Sequence, residues 1–366
     1  MYNKKLFHSG RAVFFLMVFI CVIIAVAVLK IASTVILPLT IAVLLAFVMY
    51  PIIKGLDKIR CPRILSVLLV IVIIIAGLYI LGMVLFTLGR MVIAEWPKFE
   101  DRFIQIFNQI AQLFDLPNNE ELSFWQNLWA QAGIRTFVRD ITISSSNTFI
   151  RFISSAVLVV LFIVFILFEA GFFKQKLMVA FENRIGRIGR MGNELIQQVS
   201  RYLTAKFLIS LANGVIFAVG FSLVGLEFAI VWGVIQFLLN FIPTLGSIAA
   251  GVIISLFALL QFWPEPAPII IVVAIILSVN FILGNIFDPK IVGDHVGISP
   301  LVILVSLSIW SFIWGFAGMV LAVPMTVIIK IVCENIPMLE PVSILIGSRK
   351  SVLAKKTEQE KNETQQ

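Results

Sequence analysis

Charge is what this chain has least of. Its 366 residues carry 28 Lys and Arg and 20 Asp and Glu, 13% in all, against about 25% in a typical soluble domain. So few charges cannot cover a soluble protein of this size, which argues against a soluble enzyme or a nucleic-acid-binding module. Histidine is limited to His8 and His295, too little material for a histidine metal centre or Ser–His catalysis. Cys21, Cys61 and Cys333 lie far apart, with no metal-ligand spacing and no disulfide framework. There is no G-x-x-x-x-G-K-[ST] phosphate loop, no H-E-x-x-H and no helix with arginine at every third position. Neither catalytic residues, a metal nor a cofactor is expected.

What the chain has is hydrophobic residues, 60% of the total, including 32 Phe and 7 Trp. Stretches free of Asp, Glu, Lys and Arg cover 12–29, 31–53, 64–89, 152–168, 207–226, 228–264, 266–287 and 295–329. A helix needs roughly 20 apolar residues to cross about 30 Å of hydrocarbon. Six runs fit one crossing each; 228–264 and 295–329 are too long. Strands of a membrane barrel would alternate apolar and polar residues, and Ile64 to Phe86 does not. Lys4, Lys5 and Arg11 before an apolar stretch, with Ala25-Val-Ala27, imitate a signal peptide. The length of that stretch and the span that follows it favour a retained anchor.

Basic residues collect on cytoplasmic loops. Segments 1–11, 54–63 and 169–206 are basic, and 94–148 carries seven acids against Lys98, Arg102, Arg135 and Arg139. The net charge of +8 therefore reports orientation: both termini cytoplasmic, 94–148 outside. Phe99, Phe103, Phe107, Ile110 and Phe114 recur at helical spacing, and Leu122, Trp125, Trp129 and Ala132 continue the pattern after Pro117. This predicts a small outer helical subdomain, either lying on the membrane or a neighbouring subunit or simply linking two spans. Ile185, Ile188, Leu195, Val199 and Tyr202 predict an amphipathic helix ringed by Arg184, Arg187, Arg190 and Arg201, suited to anionic lipid headgroups or to the inside signal alone. Lys206 reads as a membrane-edge residue, and the last dozen residues read as disordered.

The two overlong runs each break near the middle, at Pro243-Thr-Leu-Gly246 and at Gly315-Phe-Ala-Gly318. Halves of about 14 residues reach only about 21 Å, so a half-crossing helical hairpin fits each run; two kinked full spans are the alternative. At an offset of 72, Asn213 falls on Asn285, Gly225 on Gly297 and Gly246 on Gly318. The fold expected is thus an all-α polytopic membrane protein. It would have about six full transmembrane helices plus two half-crossing hairpins, or eight spans, with an inverted repeat in the C-terminal half. Inverted repeats with broken helices are a plan of secondary transporters. The divisions expected are 1–93 (three spans), 94–148 (outer subdomain), 149–205 (a span and the amphipathic helix), 206–332 (transport core) and 333–366 (tail).

Asn213, Gln236, Asn240, Asn280 and Asn285 all lie in apolar runs. Polar groups at membrane depth line cavities or bond neighbouring helices. Asn213, Gln236, Asn240 and Asn285 are the candidate substrate-binding residues. Pro243, Thr244, Gly246, Gly315, Gly318 and Pro324 form the candidate hairpin tips, and Asp288 and Asp294 are the nearest carboxylates for a coupling ion. The partners implied are membrane lipid and a small polar solute or ion, with no nucleic acid.

The chain resembles the autoinducer-2 exporter family of membrane permeases along nearly its whole length. The residues that carry the resemblance are Leu37 to Pro51 (LPLTIAVLLAFVMYP), Tyr202-Leu203, Asn213-Gly214, Gly225-Leu226, Trp232-Gly233 and Asn240 to Gly246 (NFIPTLG). They continue with Asn285, Pro289 to Gly293 (PKIVG), Ser299-Pro300, Gly315 to Gly318 (GFAG) and Leu321 to Pro324 (LAVP). Thr244 and Ser247 depart from the Tyr and Pro common around this turn. The resemblance implies a permease of the bacterial inner membrane that exports autoinducer-2 or exchanges sodium for protons. It also implies an elevator-type carrier with paired hairpins, assembled as an oligomer, a pentamer.

Overall fold

The computed structural model describes residues 3–113, 150–169, 185–287, 297–336 and 338–348, and the single positions 172, 176 and 179. The expected helix after Pro117, Asp288, Asp294 and the tail beyond 348 lie outside the described residues. The described chain is helical: α1 (Asn3–Ile31), α2 (Ser33–Lys58), α3 (Arg63–Leu113) and α4 (Ile150–Glu169). Then come α5 (Ile185–Val224), α6 (Ala229–Leu239), α7 (Leu245–Phe262), α8 (Pro266–Phe281), a π-turn (Ile282–Phe287), α9 (Pro300–Asn335) and α10 (Glu340–Ile346). Seven helical stretches among the described residues are long and apolar enough to cross a bilayer. The protein is an all-α, multi-pass membrane protein.

Two helices outrun the spans predicted for them. α3 continues through the acidic segment to Leu113, and its 51 residues would measure about 77 Å at 1.5 Å per residue. In α5 the amphipathic stretch and the next span form one 40-residue helix. Charge content reports where water begins; helix propagation needs only the next backbone hydrogen bond, and no proline intervenes in 185–224. The first overlong run divides unevenly. α6 has 11 residues and α7 has 18, so the second half is long enough to count as a candidate span.

The described chain forms two compact units. One comprises 1–46, 161–191 and 298–366; the other, 47–160 and 192–297. In the second, 228–264 doubles back on itself. Trp232 and Phe228 of the first arm stack on Phe257 of the second, ring centroids 5.0 and 6.0 Å apart. At the base Gln261 closes the loop, accepting the Glu227 N–H at 2.8 Å and donating to the Gly225 carbonyl at 2.9 Å. The bend holds Thr244 at φ 59. A Cβ on Gly246 would fall on the Leu239 carbonyl oxygen of the other arm.

In the first unit α9 also reverses, although its helical hydrogen bonding resumes at once. Trp314 (φ −127, ψ 16) and Gly315 (φ 60, ψ −137) are non-helical; the positive φ is one that glycine adopts at no steric cost. The Ser306 hydroxyl donates to the Ala322 carbonyl at 3.1 Å and touches the Thr326 hydroxyl. In a straight helix 306 and 326 would stand about 30 Å apart. A Cβ on Gly318 would fall on the Trp310 carbonyl oxygen. α10 closes the base of this element, where Ser299 N–H donates to Ile346 O at 3.0 Å. α9 is the most buried of the candidate spans, at 56%.

Candidate functional site

The apolar core of the second unit is built from Phe217 and Phe221 on α5, Leu226, Ala229 on α6, Ala250, Ile254 and Ala258 on α7, and Val272 and Ile276 on α8. The same helix faces, extended by one or two turns, carry amides. Asn213 lies four residues before Phe217, Asn280 four after Ile276 and Gln236 seven after Ala229, spacings that share a helix face. A polar layer thus caps the apolar core on the side of the 240–244 bend. Gln236 Nε2 donates to Asn280 Oδ1 at 3.1 Å. Beside it, Asn240 Nδ2 donates to Ser210 Oγ at 2.9 Å.

Two glycines permit this layer. A Cβ on Gly214 would lie 2.8 Å from Gly233 O, and one on Gly233 2.6 Å from Gly214 O. The α5 and α6 backbones therefore cross in contact at the turn that carries Asn213. Asn213 and Gln236 are fully buried. Among the described residues Asn213 Oδ1, Gln236 Oε1 and Trp232 Nε1 are buried with no hydrogen-bond partner. Leaving such an atom unpaired costs about 1–3 kcal/mol. Two acceptors and one donor are thus left over in the helices that meet at this crossing.

At the bend, Pro243 O accepts the Leu245 N–H at 2.6 Å and the Thr244 hydroxyl at 2.6 Å, and Ser247 Oγ donates to Thr244 O at 3.2 Å. Asn285 falls in the π-turn that ends α8, a feature frequent at functional sites. Gly315 and Gly318 form the α9 reversal. Pro324 is not at that reversal but buried nine residues down the second arm, about 13 Å along the helix. The two bends fall in different units. No group of His, Cys, Asp and Glu that could hold a metal occurs among the described residues.

Sequence reasoning marked Asn280 only as a polar residue in an apolar run; its role as the partner of Gln236 depends on the α6–α8 register. Ser210 gave no signal. Lys206, read as a membrane-edge residue, is 4% exposed and stands seven residues before Asn213, on the face that carries the amide layer.

The chain matches the family model described as AI-2E family transporter over residues 14–338. It is 28% identical over 335 residues to a Borreliella burgdorferi protein named "Putative transport protein", covering 90% of each chain. It is 29% identical over 318 residues to the Escherichia coli K12 "Putative transport protein YhhT", covering 86% of this chain and 89% of that one. With the Escherichia coli K12 "AI-2 transport protein TqsA" it shares 27% identity over 329 residues, 87% of this chain and 91% of that one.

Proposed function

The chain belongs to the AI-2E transporter family, and from that premise we propose that it is a secondary carrier moving a small polar, hydroxyl-rich solute by elevator-like alternating access. It is a membrane transporter and not an enzyme. The observation that carries the substrate reading is the buried amide layer with unpartnered oxygens on Asn213 and Gln236. Amides both donate and accept, as a polyol requires. That a relative is named for AI-2 transport makes autoinducer-2 the first solute to test. Unpartnered acceptor oxygens also suit a cation, which favours sodium/proton exchange as the second reading, with Asp288 and Asp294 as coupling-ion candidates. Asn240, Asn285 and the bend residues Pro243, Thr244, Gly246, Gly315 and Gly318 complete the proposed machinery within a 206–332 core, with Pro324 in the arm that follows the second bend.

In this reading 228–264 and 295–329 are re-entrant hairpins of an inverted repeat. Paired features support it at the 72-residue offset: Gly225 and Gly297 both have positive φ, 80 and 54, and Gly246 and Gly318 each abut a carbonyl of the facing arm. The termini are cytoplasmic, the membrane is the inner one and the carrier is a homo-oligomer, a pentamer.

Purified protein in proteoliposomes tests the function. Saturable uptake of autoinducer-2 with counterflow is the expected result. Flux only under sodium and proton gradients selects the second reading. Unitary currents identify a channel, and absence of all flux from an intact assembly defeats the carrier reading. Single-cysteine labelling tests the topology. Asn118→Cys and Glu265→Cys should react from outside the cell and Lys290→Cys from inside; reaction of position 265 only from the cytoplasm overturns the inverted repeat.

A further inference from the structure

Between Arg11 and Lys54 the chain has one charged residue, Lys30. It stands in the last turn of α1, and a single residue, Ala32, separates α1 from α2. The last four carbonyls of a helix have no donor within it. Here Val28 O is met by the Ala32 N–H at 2.8 Å. Leu29 O is met from a distant part of the sequence: Trp314 Nε1 donates to it at 3.0 Å. Trp314 is a bend residue of α9, buried and stacked on Trp310 with centroids 5.0 Å apart. One residue along the chain, the Lys30 ammonium sits 3.7 Å from the centroid of the Phe312 ring. An ammonium in an apolar stretch is costly unless it reaches water or a partner, and an aromatic face supplies one. The helix C-terminus favours a cation at the same place.

We infer that the α1–α2 break is the seat of the α9 tip, and that Trp314 and Lys30 are positioning residues that hold the tip there and release it during transport. The inference rests on the carrier reading for its link to flux; the seat itself is a matter of geometry. The hydrogen bond uses a group left over where a helix is interrupted. The α1 break frees Leu29 O, and the Gly315 bend turns Trp314 toward it. The Trp314–Leu29 bond would not form between uninterrupted helices, whose carbonyls are already paired.

The test is a reversible bridge. In protein with Cys21→Ser, Cys61→Ser and Cys333→Ala, the pair Lys30→Cys and Phe312→Cys is treated with a short bis-methanethiosulfonate linker. Bridging should be fast, and bridged protein should lose about nine-tenths of its flux, the tenfold equivalent of about 1.4 kcal/mol, regained on reduction. No bridge, or a complete bridge with unchanged flux, overturns the inference. Trp314→Phe keeps a ring and removes the N–H. It should slow bridging about fivefold, the value of a lost hydrogen bond, and alter maximal flux while half-saturation stays the same. Unchanged bridging and flux in this variant would also overturn it. If the wild-type protein moves no solute at all, the carrier reading fails, whereas the bridging rate and its response to Trp314→Phe still report whether the seat exists.

Discussion

Gly246→Ala and Gly318→Ala are each expected to cut flux per folded protein by about tenfold or more, as 1–3 kcal/mol of overpacking would. The reason is position more than conformation. At both glycines the added Cβ meets a backbone carbonyl oxygen of the facing arm, Leu239 O and Trp310 O, and a backbone atom cannot swing aside as a side-chain end can. Each arm must therefore move away from its partner, which opens the bend that the proposed mechanism uses. Valine at either site should be worse, with assembly retained. Gly55 and Gly77 are the controls, because a Cβ there meets nothing within 4 Å; alanine at those positions should leave flux unchanged. Flux, monodispersity and melting temperature are measured together. Normal flux in both Gly246→Ala and Gly318→Ala would show that neither bend takes part in transport.

The same two bends show what could be read from the sequence and why. Absence of charge over 37 and 35 residues exceeds any single crossing, so a break in each run was legible, and Pro243, Gly246, Gly315 and Gly318 marked it; whether the chain turns back there or continues as a kinked span was not. The α1–α2 break was legible from Lys30, which divides the apolar runs 12–29 and 31–53, but what it contacts was not. It spends one residue, Ala32, with no glycine or proline at the spot, and its importance lies in a carbonyl that pairs with a tryptophan 285 positions on. Helix continuity was also misjudged, because charge marks the membrane boundary and α3 crosses that boundary without unwinding. In the candidate site, Asn213, Gln236 and Asn240 stood out as amides in apolar runs. Their pairing did not: Asn280 was legible as an amide in an apolar run but not as the partner of Gln236, and Ser210 gave no signal, because partners are selected by the register between helices, which in the α5–α6 pair is set by the Gly214–Gly233 crossing. The burial of Lys206 was not legible for the same reason: a basic residue at the end of an apolar run is ordinarily solvent-facing, and only packing shows it 4% exposed.

Gln236→Leu and Asn213→Leu separate a binding layer from a packing layer. Leucine fills the space of either amide, so the cavity term that complicates alanine substitutions is small, although at Asn213 it adds bulk to a buried site. If the amides serve only to join helices, each leucine variant should keep normal flux per folded protein. Gln236→Leu should then lose at most the value of the Gln236–Asn280 bond, about 1 kcal/mol. If the unpartnered oxygens meet solute, flux should instead fall about tenfold for each lost hydrogen bond to substrate, whatever the change in stability. The second result is expected. A melting curve shows that the variant is folded, and the flux assay on the same preparation decides between them. Asn240→Ala gives a contrasting case. It leaves buried Ser210 Oγ without the donor it has at 2.9 Å, so stability and flux should both decrease. A Gln236→Leu protein that melts no lower than wild type and transports normally would remove the amide layer from the mechanism.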